Sequence, residues 1–230
     1  MRLIDLSREI THRLPRLPNH PSIEVFPFST HEEKRVAEGY TFSSATMVLH
    51  LGDHAGTHVD APVHFDERPG AASIEQMPLE RFFCDALCLD LSHKEPRTDV
   101  SVADLEAAVA RTGDGIRPGD TVLLHMGHSA RFWGTDAWLT DFPGLTRESA
   151  GWLADQGIGM FGVEAVSPGR PGRHNFEVHH VCRDRGITHI EGLVNLEQLV
   201  DAGRFRFIGF PLRIRGGTGS PIRAVAWLDG

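Results

Sequence analysis

The sequence predicts an α/β chain. Two patterns carry that expectation: short apolar, β-branched runs of buried-strand length, and amphipathic segments between them that open on a Ser or Thr cap and stop at a glycine. No internal repeat, low-complexity tract or Ser/Gly linker divides the 230 residues, so one domain over 1–230 is expected.

In chain order, residues 41–51 are apolar and β-branched enough to form a strand that runs directly into a histidine-rich segment. Residues 85–91, 121–126 and 158–163 read as short buried strands. Ser101 is the N-cap for a helix over 102–111, with Leu105, Ala108 and Val109 on one face and Gly113 just past its end. Thr146 caps a helix carrying Ala150, Leu153 and Ala154, stopped by Gly157. A third helix is expected over 178–185, ended by Gly186, and a short fourth over 196–200. Residues 205–212 and 222–228 return to strand around the turn-rich Gly216-Gly217-Thr218-Gly219-Ser220-Pro221. These glycines do not complete a dinucleotide fingerprint and read as a hairpin turn.

Composition narrows the function classes. The formal charge of −8 argues against a nucleic-acid surface, which needs a basic patch. No run approaches the roughly 18 apolar residues that span a membrane. Met1-Arg2-Leu3-Ile4-Asp5-Leu6 lacks a basic region followed by an apolar stretch, so a cytoplasmic protein is expected. Cys84, Cys88 and Cys182 are few, odd in number and spread out, and Cys84 and Cys88 lie in a strand-like run as packed thiols.

The chemistry concentrates in Asp53-His54-Ala55-Gly56-Thr57-His58-Val59-Asp60-Ala61-Pro62-Val63-His64-Phe65. Three imidazoles and a carboxylate this close form a donor set for a divalent metal. A helix is the poorer reading, because Gly56, Thr57, Val59 and Pro62 all oppose it. In an extended chain His58 and Asp60 project from one side, with α-carbons about 6.6 Å apart. His54 joins them only if the chain folds back, and Gly56 permits that bend. Two histidines and a carboxylate leave coordination positions open, as a catalytic centre requires. His64, beyond Pro62, is then a proton carrier near the ion, against the plainer reading of a packed histidine. His179, His180 and Glu191 are weak candidates alone and gain meaning beside the first cluster. No G-x-S-x-G elbow, phosphate loop or H-E-x-x-H is present.

The run His54-x-Gly56-Thr57-His58-x-Asp60-x-Pro62-x-His64 resembles the signature of the metal-dependent cyclase family, which includes bacterial kynurenine formamidase and isatin hydrolase. Ile4-Asp5-Leu6-Ser7, Gly119-Asp120-Thr121-Val122-Leu123-Leu124, Phe142-Pro143-Gly144-Leu145, Glu191-Gly192-Leu193-Val194-Asn195-Leu196 and the closing glycine-rich turn extend the resemblance over nearly the whole chain. It implies a compact α/β fold with a mixed, barrel-like β core flanked by helices, of the swivelling β/β/α kind, and a homodimer. It also implies one or two ions per subunit, with His54, His58 and Asp60 on a first metal and, as in binuclear members, Asp60 bridging to a second ion held by His179 and Glu191, with His180 as the neighbour. His64 would be the general acid/base. The chain departs from the family at Leu17-Pro18-Asn19, where Trp-Pro is common, and at Glu164, where an aspartate is common. Both flanking loops are expected at the substrate, and Arg170 and Arg173 are candidates for a substrate carboxylate, against the plainer reading of solvated loop arginines.

The expected activity is hydrolysis of N-formyl-L-kynurenine to kynurenine and formate, by water activated on zinc or, alternatively, manganese. Ring-opening of a cyclic amide, imide or lactone is the alternative hydrolytic reading. A non-catalytic metal- or ligand-binding protein on the same scaffold is the alternative of another class. The expected partners are a small amide substrate and a second copy of the chain, with neither nucleic acid nor membrane.

Overall fold

The computed structural model describes residues 1–228. The chain opens with β1 (Arg2–Asp5), then β2 (Glu24–Ser29), β3 (Lys34–Ala37), β4 (Tyr40–Ser43) and β5 (Thr46–His50). Next come β6 (His58–Asp60), β7 (Phe83–Asp90), the short β8 (Asp99–Val100) and α1 (Val102–Thr112). β9 (Thr121–His125), α2 (His128–Phe132), β10 (Gly144–Leu145), α3 (Arg147–Asp155), β11 (Met160–Val163), α4 (Arg173–Arg185) and β12 (Thr188–Glu191) follow. β13 (Phe205–Ile208), β14 (Gly219–Pro221) and β15 (Val225–Leu228) close the described chain.

Nine strands form one sheet in the order β1-β15-β13-β7-β9-β11-β12-β6-β14. Its four central strands, β7, β9, β11 and β12, run parallel, and every other neighbouring pair is antiparallel. The sheet curls into a half-barrel, in keeping with the expected mixed, barrel-like core. No helix among the described residues is long and apolar enough to cross a membrane.

Both faces of the central strands are covered, which is why they read as unbroken apolar runs rather than alternating ones. Val122 and Leu124 of β9 pack with Leu105 of α1, Leu153 of α3 and Val178 of α4. Leu123, between them, faces the opposite core with Met160, Ile190 and Phe207. Leu105 and Leu153 are fully buried, and truncating either to alanine costs about 2–5 kcal/mol. The helix caps match the expected ones. Ser101 accepts from the Asp104 N–H at 3.2 Å and Gly113 closes α1 at φ 69°. Thr146 accepts from the Ser149 N–H at 3.1 Å at the start of α3.

Several boundaries differ from the expectation. The strands expected over 205–212 and 222–228 shorten to β13 and β15, and Gly219–Pro221 of the expected hairpin turn is strand β14, drawn into the sheet by pairing with β6. The strand expected over 41–51 divides into β4 and β5, because β4 pairs with β3 and β5 with β2 in separate two-stranded sheets. The helix expected over 178–185 begins five residues earlier, at Arg173. Its first turn, Arg173-His174-Asn175, is polar, so the apolar stripe starts only at the buried Val178. The helix expected over 196–200 is a single 3₁₀ turn, Leu196–Leu199.

Candidate metal centre

β6 and β12 lie side by side and antiparallel, with His58 opposite Glu191 and Val59 opposite Ile190. Side chains alternate across a strand, so Val59 and Ile190 enter the apolar core while His58, Asp60, His189 and Glu191 all emerge on the face toward α4. His189 Nε2 lies 3.2 Å from both Asp60 Oδ2 and Glu191 Oε1. His58 Nε2 is 3.5 Å from both Asp60 Oδ1 and Glu191 Oε2. Phe161 and Phe65 stack on the two sides of the His189 ring at 5.5 and 6.1 Å.

Three further histidines converge from outside the two strands. Gly56, at φ 65°, turns the chain as expected and brings the His54 ring within 5.1 Å of the His58 ring. The 3₁₀ turn Pro62–His64 directs His64 back, Nε2 3.7 Å from Asp60 Oδ2 and the ring 4.1 Å from His54. From α4, His179 Nε2 comes within 3.8 Å of Asp60 Oδ2, whereas its neighbour His180 is exposed. His54, His58, Asp60, His64, His179 and Glu191 are thus gathered in one place.

The hydrogen bonds fix which nitrogen each ring presents. His58 Nδ1 donates to the Gly56 carbonyl at 3.0 Å and His179 Nδ1 to the Asn175 carbonyl at 2.8 Å, so each turns Nε2 inward as an acceptor. Thr218 gives its hydroxyl proton to Asp53 Oδ2 at 2.8 Å and therefore accepts from His54 Nε2, also at 2.8 Å. That leaves a lone pair on His54 Nδ1, only 2.8 Å from Asp60 Oδ1. His58 Nε2 and Asp60 Oδ1 are buried without any hydrogen-bond partner. Acceptors pressed together in the interior repel one another unless a cation lies between them. The donor sets His54-His58-Asp60 and Asp60-His179-His189-Glu191 each have the spread a single ion needs, and Asp60 belongs to both. The residues present therefore fit a divalent metal.

The electrostatics separate the roles. Burial alone would raise the Asp60 carboxyl, but the positive charge and hydrogen bond of His189 beside it hold it well below the usual carboxylate range. Burial, followed by the charge of His189, pushes His179 down. His64 is the most open of the group, with 33 % of its side-chain surface exposed. Burial, reinforced by His54 and His179 against the pull of Asp60, pushes its imidazole down to about 4. At neutral pH it is an uncharged base at the mouth of the centre.

A cavity of about 330 Å³ opens beside the cluster, lined by Asn19, His20, His64, Phe65, Ser167 and Phe176 among others. Both loops where the chain departs from the family pattern thus reach it. Glu164 itself does not. It is buried behind the cavity, accepting from the Met126 N–H at 2.6 Å and the His128 N–H at 3.3 Å. Arg170 is held bidentately by Asp99 at 2.6 and 3.0 Å, the exposed Arg173 pairs with Glu177 at 2.6 Å, and neither lines the cavity.

Sequence reasoning missed four participants: His189, Thr218, Asp53 and His20. His189 carried a readable signal, because it stands two residues from Glu191 in a strand, the same alternation that joins His58 to Asp60. Thr218 and Asp53 meet across 165 residues and carried none. The His20 ring packs tilted against His54, 5.7 Å away, at the end of the loop that lacks the family's Trp-Pro.

A family model described as "Putative cyclase" matches residues 4–170. The chain belongs to the cyclase family. This cyclase-family chain is 28 % identical over 232 residues to the kynurenine formamidase of Salinibacter ruber (strain DSM 13855 / M31), covering 98 % of this chain and 97 % of the relative. Among solved structures it is similar to an isatin hydrolase bound to the product analogue thioisatinate, with TM-score 0.83 and 25 % identity over 99 % of this chain and 92 % of the other. Isatin hydrolase A from Ralstonia solanacearum is similar at TM-score 0.80 and 26 % identity, over 99 % and 92 % of the two chains. The named relatives are hydrolytic enzymes, and the cyclase-family chain is a metal-dependent hydrolase of that family.

Proposed function

We propose that this chain hydrolyses the carbon–nitrogen bond of a small aryl amide, N-formyl-L-kynurenine first, giving kynurenine and formate. The observation that carries the reading is the 2.8 Å approach of two bare acceptors, His54 Nδ1 and Asp60 Oδ1, beside an uncharged and accessible His64. His54, His58 and Asp60 would hold one divalent ion, zinc before manganese, and Asp60, His179 and Glu191, with His189 among them, a second. The bound metal supplies Lewis acidity toward water and the substrate carbonyl.

The chain's own residues do the rest. His64 takes a proton from the attacking water at Nε2 and returns it to the departing nitrogen. An aryl amine leaves more readily than an alkyl amine, and Phe65 and Phe176 offer an aromatic ring apolar contact in a cavity large enough for it. Thr218 and Asp53 keep His54 in the required tautomer.

The test is to load the protein with zinc or manganese and follow N-formyl-L-kynurenine by absorbance, with equal release of kynurenine and formate expected. A second hydrolytic reading, ring-opening of a cyclic amide such as isatin, is supported by the likeness to isatin hydrolases. A panel of aryl formamides, lactams and lactones separates the two. No turnover of any of them at full metal occupancy favours a non-catalytic metal- or ligand-binding protein.

Two further assignments belong to the reading. The exposed Phe28, Val36, Tyr40 and Phe42 on the β2–β5 and β3–β4 hairpins present apolar surface that a second copy of the chain would cover. Light scattering of wild type against Phe42→Lys would show a dimer and its dissociation. The cytoplasm is the proposed compartment, in keeping with three unpaired cysteines, of which Cys88 and Cys182 are buried.

A further inference from the structure

Outside the metal cluster, Arg8 is a charge without a counter-ion. Its guanidinium carbon lies 3.6 Å over the Trp133 ring and 4.9 Å from the Trp138 ring. Nη2 donates to Ser129 Oγ at 2.8 Å, while Nε is buried with no acceptor. Among the described residues no carboxylate oxygen comes within 4.0 Å of it. Burial pushes the group down to about 10, with Glu164 pulling the other way, so it stays charged at neutral pH. A half-buried cation of this kind is costly to keep unless something pairs with it.

Its position is tied to the metal motif. The Arg8 backbone N–H donates to Thr57 Oγ1 at 2.8 Å, and the Thr57 hydroxyl donates to the Gly192 carbonyl at 2.7 Å. Thr57 stands between His54 and His58, and Gly192 follows Glu191. Arg8 and Trp138 line a chamber of about 20 Å³ together with Arg16, His54, His58 and Glu191. That volume admits one oxygen-sized group. The chamber shares His20, His54 and Glu191 with the 330 Å³ cavity, so the two meet at the metal centre.

We propose that Arg8 is a specificity-determining residue for a negatively charged substrate: the body of the amide fills the larger cavity, and one oxygen of its carboxylate reaches through the small chamber to the guanidinium. The substrate's amide rests on the hydrolase reading above, and its charge rests on the Arg8 geometry alone.

The experiment compares wild type, Arg8→Gln and Arg8→Lys at equal metal content on 2-formamidobenzoate and on neutral formanilide. Arg8→Gln should raise KM for the carboxylate-bearing amide roughly ten- to a hundredfold, hold its kcat within about threefold and leave formanilide unchanged. Arg8→Lys should recover part of the loss. Equal losses on both amides, or none on the charged one, overturn the assignment. A binding measurement keeps it testable apart from turnover. Benzoate should change tryptophan fluorescence in metal-loaded wild type through Trp133 and Trp138, with affinity lower by about tenfold or more in Arg8→Gln, and aniline should not. Should wild type cleave neither amide, the hydrolase reading fails by itself while benzoate still decides on Arg8. Equal benzoate affinity in wild type and Arg8→Gln overturns the proposal.

Discussion

His54 and Thr218 stand 164 residues apart and share a 2.8 Å hydrogen bond that sets which imidazole nitrogen is bare. Since the Thr218 hydroxyl and backbone N–H both donate to Asp53 Oδ2, each at 2.8 Å, the threonine cannot rotate away to offer a different partner. Thr218→Val removes the acceptor and keeps the shape. Metal affinity should fall about 10–100-fold in a chelator competition, with Thr218→Ser close to wild type. Full affinity in the valine variant would mean that the relay does not orient His54.

His64 touches the cluster without being required to build it. His64→Ala should keep wild-type metal content by atomic emission while kcat for the amide falls by about 10²–10⁴. Unchanged turnover removes it from proton transfer, and lost metal makes it a ligand.

His125 and Glu164 supply a pH dependence remote from the metal. Their nearest atoms are 3.5 Å apart and His125 Nδ1 makes no well-aligned hydrogen bond, so the pull is chiefly Coulombic. Burial alone would lower the ring, but Glu164 and then Asp90 outweigh it and hold His125 above its ordinary 6.5. A raised value in the fold means stability fully present below the ordinary value and lost as pH climbs through the raised one. The Tm advantage of wild type over His125→Gln should therefore shrink as pH rises above the ordinary histidine value of about 6.5. An advantage that grows over that range has the wrong sign for this pair.

Two glycines predict opposite outcomes for the same substitution. A Cβ on Gly219 would lie 2.8 Å from His54 Cε1 and 2.9 Å from the Val59 carbonyl, so Gly219→Ala should displace His54 and lower metal binding. A Cβ on Gly151, inside α3, meets nothing within 4 Å, so Gly151→Ala should stabilise the fold by about 0.5–1 kcal/mol in chemical denaturation. Gly219→Ala with wild-type metal affinity would mean that the β14 backbone yields.

What could be read beforehand was whatever depends on neighbours in sequence. The caps at Ser101 and Thr146 involve partners three residues away. The shared face of His58 and Asp60 follows from strand alternation, and the bend at Gly56 from its lack of a side chain. Placement of His179 against Asp60 rested on family resemblance, since no local pattern links positions so far apart. Arg170 looked free because its partner, Asp99, is 71 residues away. Arg8 carried no signal in the sequence, because Trp133, Trp138 and Thr57 reach it only after the sheet has closed.

The pairing of β6 with β12 has a consequence for how the protein becomes active. Both strands are short, three and four residues, and each carries its metal-side groups at every second position. Sliding one past the other by a single residue would bury the carboxylates among aliphatic side chains and expose Val59 or Ile190. Misaligned chains would thus be both poorly folded and inert. An ion gripping Asp60 and Glu191 would also pin the two strands in the correct alignment, so cells short of that metal would be expected to accumulate unfinished, protease-sensitive chains rather than intact empty enzyme.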